Sequence, residues 1–349
     1  MPAFNPRRIA ILKPSALGDI AHSLPVLSGL RELFPTSHIA WVVNSGYRAM
    51  LDGHPDLNEV IPFERGAFRK QHFEAIRYSI EFAQLLRRKR FDLVIDLQGL
   101  LRTGLMAAAT GAPVRLGFNN AREGSRRFYS HRFEVPDADR IHAVDRYWRF
   151  VEWLGGEHLT KQFQMPIDAE QLKACKAELS NFPRPWLALA PGARWLTKRW
   201  PLNSFAELAN RMHRDFGGTV VLVGAADDNA LSAELKPKLH GPVCDFIGRT
   251  NIAKMVALLS IQDALLSNDT GPLHVAAALG VPCVAPYLCT KPILHGPYRQ
   301  IGISTTVPCA GSYLRVCPNN LICFPELTPD KLWPSLQTVL QSWRTRTGR

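Results

Sequence analysis

The chain has no run of about 18 apolar residues, so its sequence offers no membrane-spanning helix. The N-terminus, Met-Pro-Ala-Phe-Asn-Pro-Arg-Arg, lacks the apolar core and cleavage site of a signal peptide. It runs directly into the strand-like Ile9-Ala10-Ile11-Leu12. Cysteines number seven, an odd and mostly scattered set, which argues for a reducing compartment and an expected cytoplasmic location. The first strand is not followed by Gly-x-Gly-x-x-Gly, which counts against a nicotinamide-dependent oxidoreductase. No carboxylate or histidine cluster has metal-ligand spacing, so no metal is expected. Cys309, Cys317 and Cys323 share a proline-rich loop, but their spacing is not a zinc pattern and no fourth ligand is evident. A packed, reduced loop is the expectation there. Low-complexity segments and short-period repeats are also missing.

Acidic residues are outnumbered. Against 42 Lys and Arg stand 30 Asp and Glu, giving a net charge of +12. This favours an anionic partner: nucleic acid, an anionic membrane face or a phosphorylated substrate. No basic motif interleaved with aromatics supports nucleic acid. The densest basic stretch, 65–90, contains Arg69, Lys70, Arg77, Arg87, Arg88 and Lys89 mixed with Glu74 and Glu81. It reads either as a solvated helix face or as a dock for anionic lipid.

What is present is strand and helix in alternation. Strand-like runs cover 8–13, 39–43, 93–97, 186–190, 219–223, 264–267 and 282–285. Helix-like runs cover 25–33, 73–90, 103–110, 204–216 and 252–259. Alternation with continuously apolar strands implies parallel sheets covered by helices on both faces. A break at Ser180-Asn181-Phe182-Pro183-Arg184-Pro185 precedes a second series. The expectation is α/β, with two doubly wound domains of similar size facing across a cleft. Ligands in such sheets bind beyond the carboxyl ends of the strands.

The informative residues fall at those ends. Asn268-Asp269-Thr270-Gly271-Pro272-Leu273-His274 reads as a polar turn from a buried strand into an apolar helix. Asp269 or Thr270 can cap that helix, and Pro272 suits its first turn. Gly271 allows close approach, so the helix N-terminus could hold a phosphate; an ordinary capped helix is the alternative. Pro191-Gly192-Ala193-Arg194-Trp195-Leu196-Thr197-Lys198-Arg199-Trp200-Pro201 brings cations and a glycine turn suited to a diphosphate. After the first strand, Gly18 permits a sharp turn and Asp19 stands at a helix start. Asp19 is either a helix cap or a carboxylate placed to take a proton from a hydroxyl. The pair Asp227-Asp228 closes another strand, where an acid often accepts bonds from ribose hydroxyls.

Four of these segments, in order and at the right separations, resemble the ADP-heptose:lipopolysaccharide heptosyltransferases. They are Lys13-Pro14-Ser15-Ala16-Leu17-Gly18-Asp19-Ile20, Asp96-Leu97-Gln98-Gly99-Leu100, Lys198-Arg199-Trp200-Pro201 and the stretch 268–274. The resemblance implies an inverting, metal-independent glycosyltransferase of glycosyltransferase-B architecture, with no cofactor. It implies an N-terminal acceptor domain (1–180), a C-terminal donor domain (181–329) and a helix (330–349) that could cross back to the first. By the same resemblance Asp19 is the general base. Lys198, Asp269, Thr270 and Gly271 meet the donor diphosphate, and Asp228 and His274 lie at or near the ribose. Ser15, Gly18, Gln98, Arg122 and His142 line the acceptor and sugar pocket. The implied partners are an ADP-heptose donor, an anionic Kdo-lipid A acceptor and the cytoplasmic face of the inner membrane.

Subfamily signals are mixed. Asp96-Leu97-Gln98-Gly99, Ala121-Arg122-Glu123 and His142-Ala143-Val144 look like the enzyme adding the first heptose. Pro191-Gly192-Ala193 looks more like the enzyme adding the second. Ala193 and Arg194 replace hydroxyl residues of the first-heptose pattern, and Leu288-Cys289-Thr290 replaces Gly-Pro-Thr. Another ADP-sugar transferase of this fold and a catalytically silent nucleotide-binding relative are the alternatives.

Overall fold

The computed structural model describes residues 5–69 and 72–348. Lys70 of the basic stretch lies outside the described residues. The chain forms two compact units, 1–166 and 167–349. The first carries β1 (Arg8–Leu12), α1 (Leu17–Leu33), β2 (His38–Asn44), β3 (Glu59–Phe63), α2 (His72–Arg88), β4 (Leu93–Asp96), α3 (Leu101–Thr110), β5 (Val114–Phe118), β6 (His131–Phe133) and α4 (Ala143–Trp153). The second opens with α5 (Ala169–Leu179), β7 (Trp186–Ala190), α6 (Leu202–Phe216), β8 (Thr219–Leu222), α7 (Asn229–Leu235), β9 (Val243–Asp245) and α8 (Ile252–Ser260). It continues through β10 (Ala264–Ser267), α9 (Gly271–Ala278), β11 (Cys283–Tyr287), α10 (Pro292–His295), β12 (Ile301–Ser304), α11 (Cys323–Glu326) and α12 (Pro329–Thr347).

Each unit holds one six-stranded, wholly parallel sheet. The orders are β3-β2-β1-β4-β5-β6 and β12-β11-β10-β7-β8-β9. Both are the Rossmann order 3-2-1-4-5-6, with a topological switch between β1 and β4 and between β7 and β10.

Strands β1 and β7 are buried on both faces, as their unbroken apolar runs require. In the first unit, Ala10 and Leu12 pack with Phe82, Leu86 and Met106 of α2 and α3. On its other face α1 meets α4 so closely that a Cβ on Gly29 would come within 2.9 Å of Trp148 and Val151. Only glycine lets those helices approach so far.

Three expectations need adjustment. Helix α1 starts at Leu17, well before Pro25, which lies inside it. Gly18, Ile20, Ala21, His22, Ser23 and Leu24 are all buried, and that packing outweighs the roughly 3 kcal/mol cost of an internal proline. The units divide at 166/167, earlier than the proline-rich break. Helix α5 buries Cys175 and Leu179 and packs on α8 of the second unit, where Glu178 pairs with Lys254 at 2.6 Å. Helix α12 sends Leu332, Leu336 and Leu340 into the second unit's core beside Leu187, Phe205 and Leu266.

Candidate functional site

In the first unit the residues of interest gather at the β1/β4 switch. Chain leaves β1 through Lys13-Pro14-Ser15-Ala16 and enters α1, whose third residue is Asp19. One Asp19 oxygen accepts the Ala16 N–H at 3.1 Å, as the acid of a capping box does. The other lies 4.0 Å from the Lys13 ammonium. Asp19 is half-buried, whereas the Lys13 side chain is only 3% exposed. Lys13 donates to the Leu97 carbonyl (3.2 Å) and the Tyr147 hydroxyl (2.9 Å). Burial would push this ammonium down, but Asp19, Tyr147 and Asp96 outweigh it and hold Lys13 above the usual lysine range. The carboxylate at the mouth of the site therefore has a charged lysine behind it.

From β4, Asp96 is fully buried and accepts bonds from Tyr129 OH (2.6 Å), Gln98 N (2.8 Å) and Gly99 N (3.0 Å). It thus shapes the turn that carries Gln98. Gln98 accepts the Ser15 N–H at 3.4 Å, tying the two switch-point loops together. Gly18 is buried in the first turn of α1. Arg122 is exposed; its backbone N–H donates to the Gly99 carbonyl at 2.9 Å, and Glu123 accepts from Leu101 N at the head of α3. His142 caps α4 by accepting from Val144 N at 3.1 Å, and its ring lies edge-on to His22, centroids 4.9 Å apart.

In the second unit the β7/β10 switch carries the corresponding cluster. Asn268 is fully buried and accepts from Trp200 N (3.0 Å) while donating to the Pro191 carbonyl (2.7 Å). That pair of bonds fixes the Lys198 loop against the turn after β10. Lys198 pairs with Asp269 at 2.7 Å and lies over the Trp195 ring. Arg315 lies over the same ring, 5.0 Å from its centroid. Asp269 is buried and also accepts from Thr290 Oγ1 (2.7 Å), with His274 Nε2 3.2 Å from its other oxygen. Burial would push this carboxyl up, but His274 and Lys198 hold it well below the usual range. Thr270 is the N-cap of α9, yet its hydroxyl makes no capping bond.

Asp228 closes the short helical turn 226–228 that follows β8, and its carboxylate accepts from Ala225 N at 3.1 Å. A Cβ on Gly192 would approach an Asp228 oxygen to 2.4 Å, so glycine is what admits this acid beneath the β7 loop. Lys198, Asp269, Thr270 and Asp228 therefore share the turns beyond one set of strand ends, with Gly271 and His274 in the first turns of α9. The expectation that Asp269 touches the diphosphate meets a chemical limit. Its oxygens are already engaged by Lys198, His274 and Thr290, and a carboxylate has no proton to offer a phosphate.

A family model for glycosyltransferase family 9 (heptosyltransferase) matches residues 79–321. The chain belongs to this family. The lipopolysaccharide heptosyltransferase 1 of Pseudomonas aeruginosa is 29% identical over 95% of the chain and 98% of that protein. A glycosyl transferase family 9 structure from Veillonella parvula aligns with TM-score 0.84 at 23% identity, covering 97% of this chain and 99% of that one. The Escherichia coli ADP-heptose lipopolysaccharide heptosyltransferase II aligns with TM-score 0.77 at 24% identity over 97% and 99%. These likenesses establish the glycosyltransferase-B fold, and the chain is a glycosyltransferase.

Several residues escaped sequence reasoning as site members. Lys13 is the clearest, and its signal was legible: a lysine directly after the apolar run Ile9–Leu12 of β1. Thr290 was visible only as part of a departure from Gly-Pro-Thr, yet its hydroxyl serves Asp269. Tyr147 and Arg315 reach their places through tertiary packing alone. All seven cysteines are free thiols. Cys309, Cys317 and Cys323 line a small cavity with Cys289, and burial pushes the Cys323 thiol up to about 11. Among the described residues no group of three or more His, Cys, Asp or Glu is arranged to hold a metal ion.

Proposed function

We propose that the protein transfers a heptose from ADP-heptose to a Kdo-lipid A inner core with inversion. The observation that carries this reading is the Lys198–Asp269 pair (2.7 Å) beside the N-terminus of α9. Lys198 keeps donor protons beyond those engaged by Asp269, and the helix start adds N–H groups and partial positive charge. Together they suit a diphosphate leaving group, on which negative charge grows as the sugar departs. Asp269 then acts by orienting Lys198. Asp228 is the ribose acceptor, and His274 supports the same carboxylate from behind.

Asp19 takes the proton of the acceptor hydroxyl as that oxygen attacks the anomeric carbon from the side opposite ADP. The carbon–oxygen bond to the diphosphate breaks in the same displacement, so the configuration inverts. Ser15, Gly18, Gln98, Arg122 and His142 belong to the acceptor and sugar pocket. The exposed Arg122 suits the acidic Kdo and phosphate groups of such an acceptor. A lipid-anchored acceptor also calls for work at the periphery of the inner membrane, on its cytoplasmic face.

The loop Pro191-Gly192-Ala193, which has no hydroxyl, favours a second reading: addition of the second heptose. ADP release from ADP-heptose with Kdo-lipid A, with a monoheptosylated acceptor and with neither separates the two. Release that depends on Kdo-lipid A supports first-heptose transfer. Release only with the heptosylated acceptor supports the second reading, and release with neither acceptor sinks both.

A further inference from the structure

Helix α2 is apolar on two sides. Phe82 and Leu86 are buried against the sheet. Phe73, Ile76 and Ile80, at i, i+3 and i+7, fall on the opposite side of the helix. There they are 75%, 59% and 52% exposed. On the inner side of the helix an open apolar groove of about 140 Å³ runs between α2 and α3, lined by Phe63, Tyr78, Phe82, Leu86, Leu105 and Met106. Of the thirteen exposed large apolar side chains among the described residues, six (Phe73, Ile76, Ile80, Leu85, Leu101 and Leu105) belong to these two helices. Such concentration marks an interaction surface rather than scattered exposure.

Charge identifies the partner. Helix α2 carries Arg77, Arg87 and Arg88 against Glu74 and Glu81; Arg77 and Glu81 pair at 3.7 Å, which leaves Arg87 and Arg88 against Glu74. Arg65 and Arg102 add exposed cations at the neighbouring loop and helix. An apolar stripe with basic flanks matches the interface of an anionic bilayer, where side chains insert and arginines meet phosphates. The place in the fold agrees. Both helices start from the carboxyl ends of their strands, the end of the sheet that bears Asp19 and Gln98.

We propose that the α2–α3 face docks the protein on an anionic phospholipid bilayer, with Phe73, Ile76 and Ile80 inserted among the headgroups. The inference rests on the lipid-linked acceptor assigned above to this unit and names the surface that would meet its membrane. The test uses the full chain and vesicles of phosphatidylcholine with or without phosphatidylglycerol. Neither vesicle contains an acceptor sugar, so the result is independent of transferase activity. Sedimentation is expected with the anionic vesicles and little with the neutral ones. A Phe73→Ser/Ile76→Ser/Ile80→Ser protein, altered only at exposed positions, is expected to lose more than about tenfold in vesicle affinity. An Ile76→Trp protein should shift its emission to the blue when anionic vesicles are added. Failure to sediment, equal binding by the triple variant, or binding without an emission shift at position 76 overturns the proposal. Self-association that the triple variant abolishes, without vesicle binding, overturns it in favour of a second copy.

Discussion

The Lys13 ammonium, sealed from water, stands 4.0 Å behind the half-exposed Asp19 carboxylate. A cation at that range favours the charged carboxylate over the acid. The β1 loop and the first turn of α1 thus deliver the proposed base and the cation beside it from seven consecutive residues, Lys13 to Asp19.

Replacing Lys13 by Met tests this relationship. The turnover rate is expected to fall by about tenfold to a hundredfold, the scale of a misplaced general base. The acid limb of the rate–pH profile should move to higher pH, because Asp19 loses its cation. ADP affinity should stay unchanged. A lower rate with an unmoved acid limb would leave Lys13 a purely structural part.

Lys198→Ala removes a cation from the proposed diphosphate site. ADP affinity is expected to drop by about tenfold or more, the scale of a charge-assisted bond. Titration calorimetry with ADP reads this directly, and unchanged affinity would place Lys198 outside the donor site.

Acid should act on the second unit through Asp269. Its folded pKa lies below the unfolded value of about 3.9, so its contribution is full above that value. The contribution is lost as pH falls through the folded value. Between pH 5 and 3 the urea midpoint of the wild type should fall more steeply than that of Asp269→Asn. The variant should also be less stable at pH 7, by about 3 kcal/mol, since Lys198 and His274 lose a buried partner. Parallel slopes in the two proteins would contradict the assigned state of Asp269.

Chelator should leave turnover intact, because in the proposed mechanism Lys198 and the head of α9 supply the positive charge that the departing diphosphate needs. Loss of rate in EDTA, restored by a divalent cation, would contradict this.

The strands β1, β7 and β10 and the positions of Asp19, Lys198 and Asp269 were legible because buried parallel strands and polar strand ends have local signatures. Strands β5, β9 and β12 were not, being short sheet members of mixed composition. The start of α1 was hidden by Pro25, whose local cost is met by burial that only the folded chain reveals. The division of the units was hidden for a related reason: α5 and α12 declare their allegiance through side chains packed on distant helices. Asp19 had been open to two readings: the capping bond from Ala16 N is formed, its other oxygen faces Lys13, and the role of base is the one proposed above. The bonds of Asp269 to Lys198 and Thr290 were not legible, since they come from residues far away in sequence.

The central proposal is that Asp19 is the base and takes no part in holding ADP. Acceptor-dependent ADP release by Asp19→Asn, with ADP affinity measured on the same protein, tests it most directly. Asn keeps the shape and can still accept from Ala16 N, but it cannot take the hydroxyl proton. The expected result is turnover reduced by about a thousandfold with ADP affinity within about twofold of the wild type. Turnover near the wild-type rate would remove Asp19 from the chemistry, and loss of ADP affinity in step with rate would contradict the proposal that it takes no part in holding ADP.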